Sequence, residues 1–272
     1  MVDVAQASHH VQDATSFQLP GGLEIAIPQP PPIFGYQFTV TKFMVLELLV
    51  AVLMLLVFVP LARRVANGET PRGRLWNLLE AVLVFIRDRM ARPAIGHHDA
   101  DRFLPFLWTA FFFVLLCNLV GLVPWAGSPT GALAVTASLA VATFATVVGA
   151  GMRRFGPVGF WTGLVPHMEL PLVLSVLLKP MIMAIEIMGL FIKHTILAVR
   201  LLANMFAGHL VLAVILGFIA ATAETWLWYA VMPSSVLAAV GLNLLELLVA
   251  CLQAYIFTFL SALFIGMAVH QH

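Results

Sequence analysis

The chain has 272 residues, of which 61% are hydrophobic and only 10% are charged, and its mean hydropathy is +1.00. Soluble domains typically carry about 25% charged residues, so this composition excludes a water-soluble globular domain and an intrinsically disordered chain. The 14 Lys and Arg nearly balance the 13 Asp and Glu, which excludes a basic surface for nucleic acid, and two cysteines exclude a disulfide scaffold. The composition predicts a polytopic integral membrane protein.

The N-terminal part of the chain divides into a polar lead-in and three apolar runs. Residues 1–40 are polar and proline-rich and lack the basic start of a signal peptide, so we expect an extracytoplasmic segment before a membrane domain at 41–272. The apolar runs cover residues 43–61, 104–125 and 132–152. Each run is close to the roughly 20 helical residues that cross a hydrocarbon core of about 30 Å. Three spanning helices are therefore predicted here.

The positions of the arginines predict the orientation in the membrane. Eight of the 14 basic residues lie between the first and second apolar runs, and Arg153 and Arg154 follow the third. The positive-inside rule places both regions in the cytoplasm, with the N-terminus outside and the C-terminus inside. Within the first basic loop, Leu75–Ile86 is too short to span and too apolar to be solvated. This pattern favours an interfacial helix.

The C-terminal half contains two much longer apolar segments, at 170–223 and 236–269. The second alone would form a helix of about 51 Å, which exceeds the thickness of the hydrocarbon core. We therefore predict two long, strongly tilted helices that form an antiparallel hairpin, with the turn at Met232–Ser235. In total the sequence predicts an all-α fold of about five spanning helices plus an interfacial helix.

Charged residues recur at a regular interval in the first long segment. Lys179, Glu186, Lys193 and Arg200 are seven residues apart, so on a continuous helix they form one slowly drifting stripe, with Asn204 one turn beyond. Ionisable groups in membrane helices are costly and commonly functional. Ion pairing of Glu186 with the lysines, which would assemble a helix bundle, is an open alternative. Arg200 cannot lose its charge, which favours a functional role for it.

Three further polar positions lie in the apolar segments. His209 is about 900° beyond Arg200 and projects from the opposite face, while Glu246 and Gln253 share a face of the last helix. An antiparallel hairpin brings His209 and Glu246 to depths that differ by about 7 Å, so the two could pair. A satisfied core histidine is the alternative. Asn118, in a span without charge, is either a helix–helix hydrogen bond or a channel residue.

The segment RLLANMFAGH at 200–209 resembles the signature of subunit a of the rotary F-type ATP synthase. The resemblance includes the spacing of Glu186, Lys193 and Arg200, the segment LQAYIF at 252–257 and the segment NLVGLVP at 118–124. It therefore covers most of residues 40–270.

The resemblance implies the static, proton-conducting half of a rotary motor in the inner (plasma) membrane of a bacterium. Its partners would be a ring of c subunits, the peripheral-stalk b subunits and the rest of the synthase, and it would have no cofactor, metal or catalytic site of its own. Arg200 would face the ring carboxylates between two offset half-channels. By the same resemblance, the half-channel positions are Asn118, Asn204, His209, Glu246 and Gln253, and Glu186 and Lys193 serve access or assembly.

The chain also departs from the common bacterial pattern of this family. Many bacterial relatives have an acid at the position of His209 and a histidine at that of Glu246, and this chain has the reverse order of mitochondrial and related bacterial forms. Gly121, Ala132 and Ala134 stand where relatives often have acidic or polar groups, which leaves the lining of the outer half-channel open.

Two other classes of protein remain as alternatives. An autonomous proton-coupled transporter would also place charges in its helices, although the chain has neither an internal repeat nor a substrate-sized polar cluster. A non-conducting assembly protein would tolerate a neutral residue at Arg200. The sequence contains no Walker A phosphate-binding motif, so nucleotide binding is not predicted.

Overall fold

The computed structural model describes residues 14–19, 23–29, 31, 39–68, 73–123, 127–165 and 172–270. Five helices among these residues are long and apolar enough to cross a membrane, so the predicted all-α fold with about five spanning helices is confirmed. Residues 124–125 and 170–171, at the ends of two predicted spans, lie outside the described residues. Residues 1–13 of the predicted N-terminal segment lie outside them as well.

A short β-hairpin, which the sequence patterns did not predict, precedes the first helix. Strand β1 is Ser16–Leu19 and strand β2 is Leu23–Ala26; they pair antiparallel, with Ser16 opposite Ala26. The backbone N–H of Lys42 donates to the carbonyl oxygen of Ala14 at 2.8 Å. This bond joins the start of the hairpin to the start of helix α1, Lys42–Ala66.

A helix is present where the sequence predicts an interfacial one: α2, Arg74–Phe85, is followed by a π-helical turn at Ile86–Ala91 and a short helix α3, Arg92–Ile95. The π-helical turn ends just before Pro93, whose nitrogen has no hydrogen to donate into a helix. The helical register is therefore adjusted at the point where the proline would interrupt it.

The next two helices are α4, Ala100–Gly121, and α5, Leu133–Gly163. Helix α5 extends beyond the predicted span at 132–152 and breaks at Gly156, where φ is +79°. Glycine adopts this left-handed conformation without the steric cost that a Cβ imposes, and Pro157 then starts the next helical segment.

The two longest helices are α6, Leu172–Ala221, with 50 residues, and α7, Trp228–Val269, with 42 residues. At 1.5 Å per residue they are about 75 Å and 63 Å long, more than twice the hydrocarbon thickness, so strong tilt and overhang must accommodate them. Helix α6 is continuous, which is the condition for the charged residues at intervals of seven to form one stripe.

The predicted turn at Met232–Ser235 is wrong. Residues 222–227 form the connection, and Pro233 lies in the second turn of α7. Pro233 is the sixth residue of α7, beyond the first four N–H groups that have no partner in a helix, so it removes one backbone hydrogen bond, to the carbonyl oxygen of Tyr229. The Ser234 hydroxyl donates to the carbonyl oxygen of Ala230 at 2.9 Å. Such side-chain bonds help membrane helices to accommodate proline.

The chain divides into two compact units, and each long helix contributes to both. Unit A comprises Met1–Glu69, Phe112–Thr136 and Arg200–Ala254, and unit B comprises Thr70–Phe111, Ala137–Val199 and Tyr255–His272. Fully buried side chains of unit A include Val50, Val114, Asn118 and Leu201, and those of unit B include Ile86, Met90, Leu107 and Phe160.

Candidate functional site

Arg200 lies in the part of α6 that belongs to unit A, and its side chain is half-buried. The neighbouring residues Leu201 and Met205 are buried, so they mark the packed face of the helix. Within the described ranges, no hydrogen bond or ion pair reaches the Arg200 guanidinium. Its five N–H donors are therefore available to a group outside those ranges.

The Glu246 carboxylate packs against the backbone of α6 at Gly208. A Cβ atom on Gly208 would lie 3.0 Å from Cδ of Glu246 and even closer to its Oε1. Glycine is thus the residue that leaves space for the carboxylate at this helix contact. The contact places Glu246 beside the residue that precedes His209.

His209 is half-buried, and its Nε2 atom is buried without a hydrogen-bond partner among the residues that the structure describes. Over the same residues, no hydrogen bond or ion pair joins His209 to Glu246. The nearby charge that acts on the imidazole is Lys42, at the start of α1, whose side chain is 4% exposed. We did not anticipate Lys42 from the sequence, because it stands at the boundary of an apolar run and resembles an ordinary flanking lysine.

Asn118 is completely buried and joins three parts of unit A. Its Nδ2 donates to the carbonyl oxygen of Ala250 on α7 at 3.4 Å, and its Oδ1 accepts a hydrogen bond from Oγ1 of Thr130 at 2.7 Å. Thr130 Oγ1 lies 2.8 Å from Oγ of Ser128, which is also buried. Asn118 therefore makes a helix–helix hydrogen bond, and its role in a half-channel stays a prediction.

Gly121, where relatives often carry an acid, is packed against the same polar group. A Cβ atom at Gly121 would lie 2.6 Å from Cβ of Ser128 and 3.0 Å from Cε of Met205. A larger side chain at this position would require the 3-10 turn at Pro129–Gly131 to move. Glycine at position 121, where relatives often have an acid, thus leaves the space that Ser128 occupies beside the turn.

The remaining predicted polar residues of unit A are Asn204 and Gln253. Gln253 is buried and lies one turn beyond Ala250, and Asn204 is half-buried one turn beyond Arg200. Neither side chain makes a hydrogen bond within the described part of the chain.

Glu186 and Lys193 belong to unit B, where both are exposed and line a cavity of about 410 Å³. His194 and His270 also line it, and apolar residues complete its wall. Within the described residues, no ion pair joins Glu186 to Lys179 or Lys193. Glu186 and Lys193 therefore present their charges to the cavity rather than to each other.

His194 is a second polar residue that we did not anticipate. Its side chain is 4% exposed, and its ring lies between those of Phe144 and Phe264, at centroid distances of 5.3 and 5.1 Å. Nδ1 is 2.8 Å from the carbonyl oxygen of Leu190, and Nε2 is buried without a partner among the described residues. A histidine in an apolar run beside Lys193 was the available sequence signal. In the described part of the chain, no group of three or more His, Cys, Asp or Glu side chains could hold a metal ion.

Five long apolar helices with half-buried ionisable groups define a multi-pass α-helical membrane protein. The family model for the ATP synthase A chain matches residues 44–266. Among curated proteins, the chain is 40% identical over 267 residues to ATP synthase subunit a of Chloroherpeton thalassium, covering 97% of this chain and 76% of that protein.

Two further relatives carry the same description. The chain is 40% identical over 237 residues to ATP synthase subunit a of Myxococcus xanthus, covering 86% of this chain and 75% of that protein. It is 41% identical over 246 residues to ATP synthase subunit a of an Anaeromyxobacter species, covering 89% of this chain and 57% of that protein. The chain belongs to the ATP synthase A chain family.

Proposed function

We propose that this chain is the proton-conducting stator subunit of a rotary ATP synthase in the inner (plasma) membrane of a bacterium. Arg200 faces the carboxylates of a rotating c-subunit ring, and the b subunits hold the chain stationary. The observation that supports this most directly is the Arg200 guanidinium, which lies within an apolar helix and has no partner among the described residues. An arginine in a membrane segment needs a counter-charge, and a passing ring carboxylate supplies one.

Arg200 acts on the ring through its permanent charge. A ring carboxylate in lipid is neutral, because the ionised form is expensive there, and beside a guanidinium it ionises and releases its proton. At about 4 Å and an effective dielectric constant of about 20, the attraction is about 4 kcal/mol. This shifts the protonation equilibrium by about three factors of ten and still leaves the pair breakable. Since Arg200 keeps its own proton, it also blocks direct flow between the half-channels.

Two separate groups of polar residues serve as the half-channels. The first consists of Asn118, Asn204, His209, Glu246 and Gln253 in unit A. Lys42, the charge that acts on His209, belongs to the same unit. The second contains Glu186 and Lys193, which line the cavity of unit B.

The energy for rotation comes from carrying each proton between the two half-channels. With the N-terminus outside and the C-terminus in the cytoplasm, a proton that enters the cytoplasm releases about 2.3 kcal/mol per 100 mV of membrane potential. Because Arg200 blocks direct proton flow between the half-channels, the proton travels on the ring, and the energy is converted into rotation. The chain contributes no catalytic site of its own to ATP synthesis.

Substitution of Arg200 by alanine tests this proposal. We expect membrane vesicles that carry the complete synthase with Arg200→Ala to lose ATP-driven acidification and ATP synthesis, because the ring carboxylate is no longer discharged. Arg153→Ala is the matched control, since Arg153 is exposed and lies outside the charged stripe. Assembly is checked by co-purification with a small two-helix protein that carries a mid-membrane carboxylate.

The alternatives give different results in the same vesicles. Normal pumping by an assembled Arg200→Ala complex would contradict the stator function and favour a non-conducting assembly protein. Proton-coupled uptake of a solute by the isolated chain in liposomes would favour an autonomous transporter.

A further inference from the structure

We propose that His194 is a further proton-exchanging residue, which serves the half-channel that contains Glu186 and Lys193. This proposal rests on the proposed function and adds one residue to it, on the wall of the unit B cavity. It starts from the position of this imidazole, which is buried, held at one nitrogen and without a partner at the other among the residues that the structure describes.

The environment of His194 fixes both the position and the tautomer of its ring. The carbonyl oxygen of Leu190 can only accept, so Nδ1 must carry a hydrogen and donate it over the 2.8 Å distance. A neutral ring with hydrogen on Nδ1 has its lone pair on Nε2. Phe144 and Phe264 pack against the ring from two other helices and hold that nitrogen in place.

The unpartnered Nε2 atom distinguishes His194 from a purely structural residue. A buried acceptor without a partner destabilises the folded chain, because it has lost its hydrogen bond to water and gained none in return. A phenylalanine at this position would have aromatic contacts with Phe144 and Phe264 and no unpaired nitrogen. The histidine at this position is therefore explained by a ligand for Nε2, and a proton is the ligand that an imidazole takes up and releases between about pH 5 and 8.

The cavity supplies the proton donors and acceptors. Its volume of about 410 Å³ has room for several water molecules, each of which occupies about 30 Å³ in the liquid. The titratable groups that face it are Glu186, Lys193 and His194 on α6, and His270 beyond the end of α7. His270 is exposed and its Nε2 is 2.7 Å from the carbonyl oxygen of Ile95, which leaves that nitrogen engaged. Helices α5 and α3 contribute only residues without titratable side chains to the wall.

Each exchange adds one proton to Nε2 of His194 and then removes it. A water molecule of the cavity first moves beside the buried Nε2, which then accepts a proton from a hydronium ion; this leaves a water molecule and an imidazolium whose Nδ1–H stays bonded to Leu190. Nε2 then returns the same proton to another water molecule or to the Glu186 carboxylate. The ring recovers its starting tautomer, and no bond other than N–H and O–H is made or broken.

Passive proton conduction by the complete membrane sector tests the role of His194. Vesicles from which the catalytic sector has been stripped are energised with a potassium diffusion potential, and proton uptake is followed as a function of pH. We expect His194→Phe, which keeps the aromatic packing, to lower conduction by about tenfold or more and to flatten its pH dependence. His97→Phe is the matched control, because His97 is exposed in a loop of the same unit.

A second variant covers the case in which His194→Phe fails to assemble. In His194→Ala, added imidazole should restore conduction, because the truncated side chain leaves space beside the cavity. Wild-type conduction and pH dependence in an assembled His194→Phe complex would overturn the proposal. So would an assembled His194→Ala complex that is impaired and not restored by imidazole. If Arg200→Ala abolishes ATP-driven pumping in parallel vesicles while His194→Phe changes nothing, only the role of His194 fails; if Arg200→Ala pumps normally, the proposed function itself fails.

Discussion

Gly208 positions a charged residue because it has no side chain. The carboxylate of Glu246 occupies the space that a Cβ atom of residue 208 would take. Gly217, nine residues further along α6, has nothing within 4 Å of the corresponding position. The two glycines therefore form a matched pair, one at a contact with a proposed proton-carrying residue and one in open surroundings.

We expect Gly208→Ala to slow passive proton conduction severalfold, because the methyl group displaces the Glu246 carboxylate. The end of a glutamate side chain moves easily, and alanine favours a helix over glycine by about 0.8–1.0 kcal/mol, so the folded chain should not lose stability. Gly217→Ala should leave conduction unchanged. Proton uptake and thermal stability of the purified complex check both effects, and equal conduction in the two variants would show that the Glu246 position does not matter.

The interpretation of single residues depended on how specific their chemistry is. Arg200 stands out in any sequence of this composition because its charge is permanent in an apolar segment. The hydrogen bonds of Asn118 could not be predicted, because its partners, Thr130 and the carbonyl oxygen of Ala250, are distant along the chain or carry no special sequence signal. Lys42 and His194 were missed because their burial comes from packing by other helices.

At the scale of the elements, the hydrogen bonds of Asn118 join α4, α7 and the 3-10 turn at Pro129–Gly131. Three buried polar side chains form one chain of hydrogen bonds, and loss of the middle hydroxyl, on Thr130, removes the hydrogen-bond partner of both Asn118 Oδ1 and Ser128 Oγ. Buried unsatisfied groups cost more than the hydrogen bond itself contributes. The hydrogen bonds of Thr130 therefore help to hold the turn in position.

We expect Thr130→Val to destabilise the chain by about 1–3 kcal/mol, because the isosteric side chain leaves Oδ1 of Asn118 without its donor. Thr146→Val is the control, since the Thr146 hydroxyl bonds only to the carbonyl oxygen of Ala142 in its own helix. Detergent-induced unfolding of the purified chain measures the difference. Equal unfolding of the two variants would contradict the account of the Asn118 network.

The error at Met232–Ser235 shows what local sequence rules omit. Proline and serine are frequent in turns, and the four residues interrupt an apolar pattern. The proline removes a single backbone hydrogen bond from a long helix, however, and the Ser234 hydroxyl bonds to the carbonyl oxygen of Ala230. The chain consequently turns at 222–227 and continues as one helix through the proline.

At the scale of the whole molecule, five spanning helices and the distribution of arginines make a definite topology testable. An odd number of crossings places the two ends of the chain on opposite sides of the membrane. The loop at 222–227 should then be outside, and the loop at 97–99 inside. Both loops contain exposed residues that can be replaced by cysteine.

We expect Thr225→Cys to react with a membrane-impermeant maleimide in intact cells, with the outer membrane permeabilised if one is present, and His98→Cys to react only after the inner membrane is opened. The background should carry Cys117→Ala and Cys251→Ala, because both natural cysteines are free thiols. Labelling of His98→Cys in intact cells would reverse the orientation and, with it, the assignment of the half-channels to the two sides.

The sequence by itself determined the class of protein and the existence and approximate positions of the long helices, and it singled out Arg200 as the candidate functional residue. It could do so because hydropathy and charge act locally along the chain. Periodicity also placed the charged residues of α6 on one stripe, since a continuous helix fixes their angles. Only the tertiary structure decided that Glu246 rests against Gly208, that Asn118 is held by Thr130, and that His194 is buried beside a cavity. These features arise where separate helices meet, and in apolar segments that meeting is set by close packing and a few hydrogen bonds, which leave little trace in the pattern of any one helix.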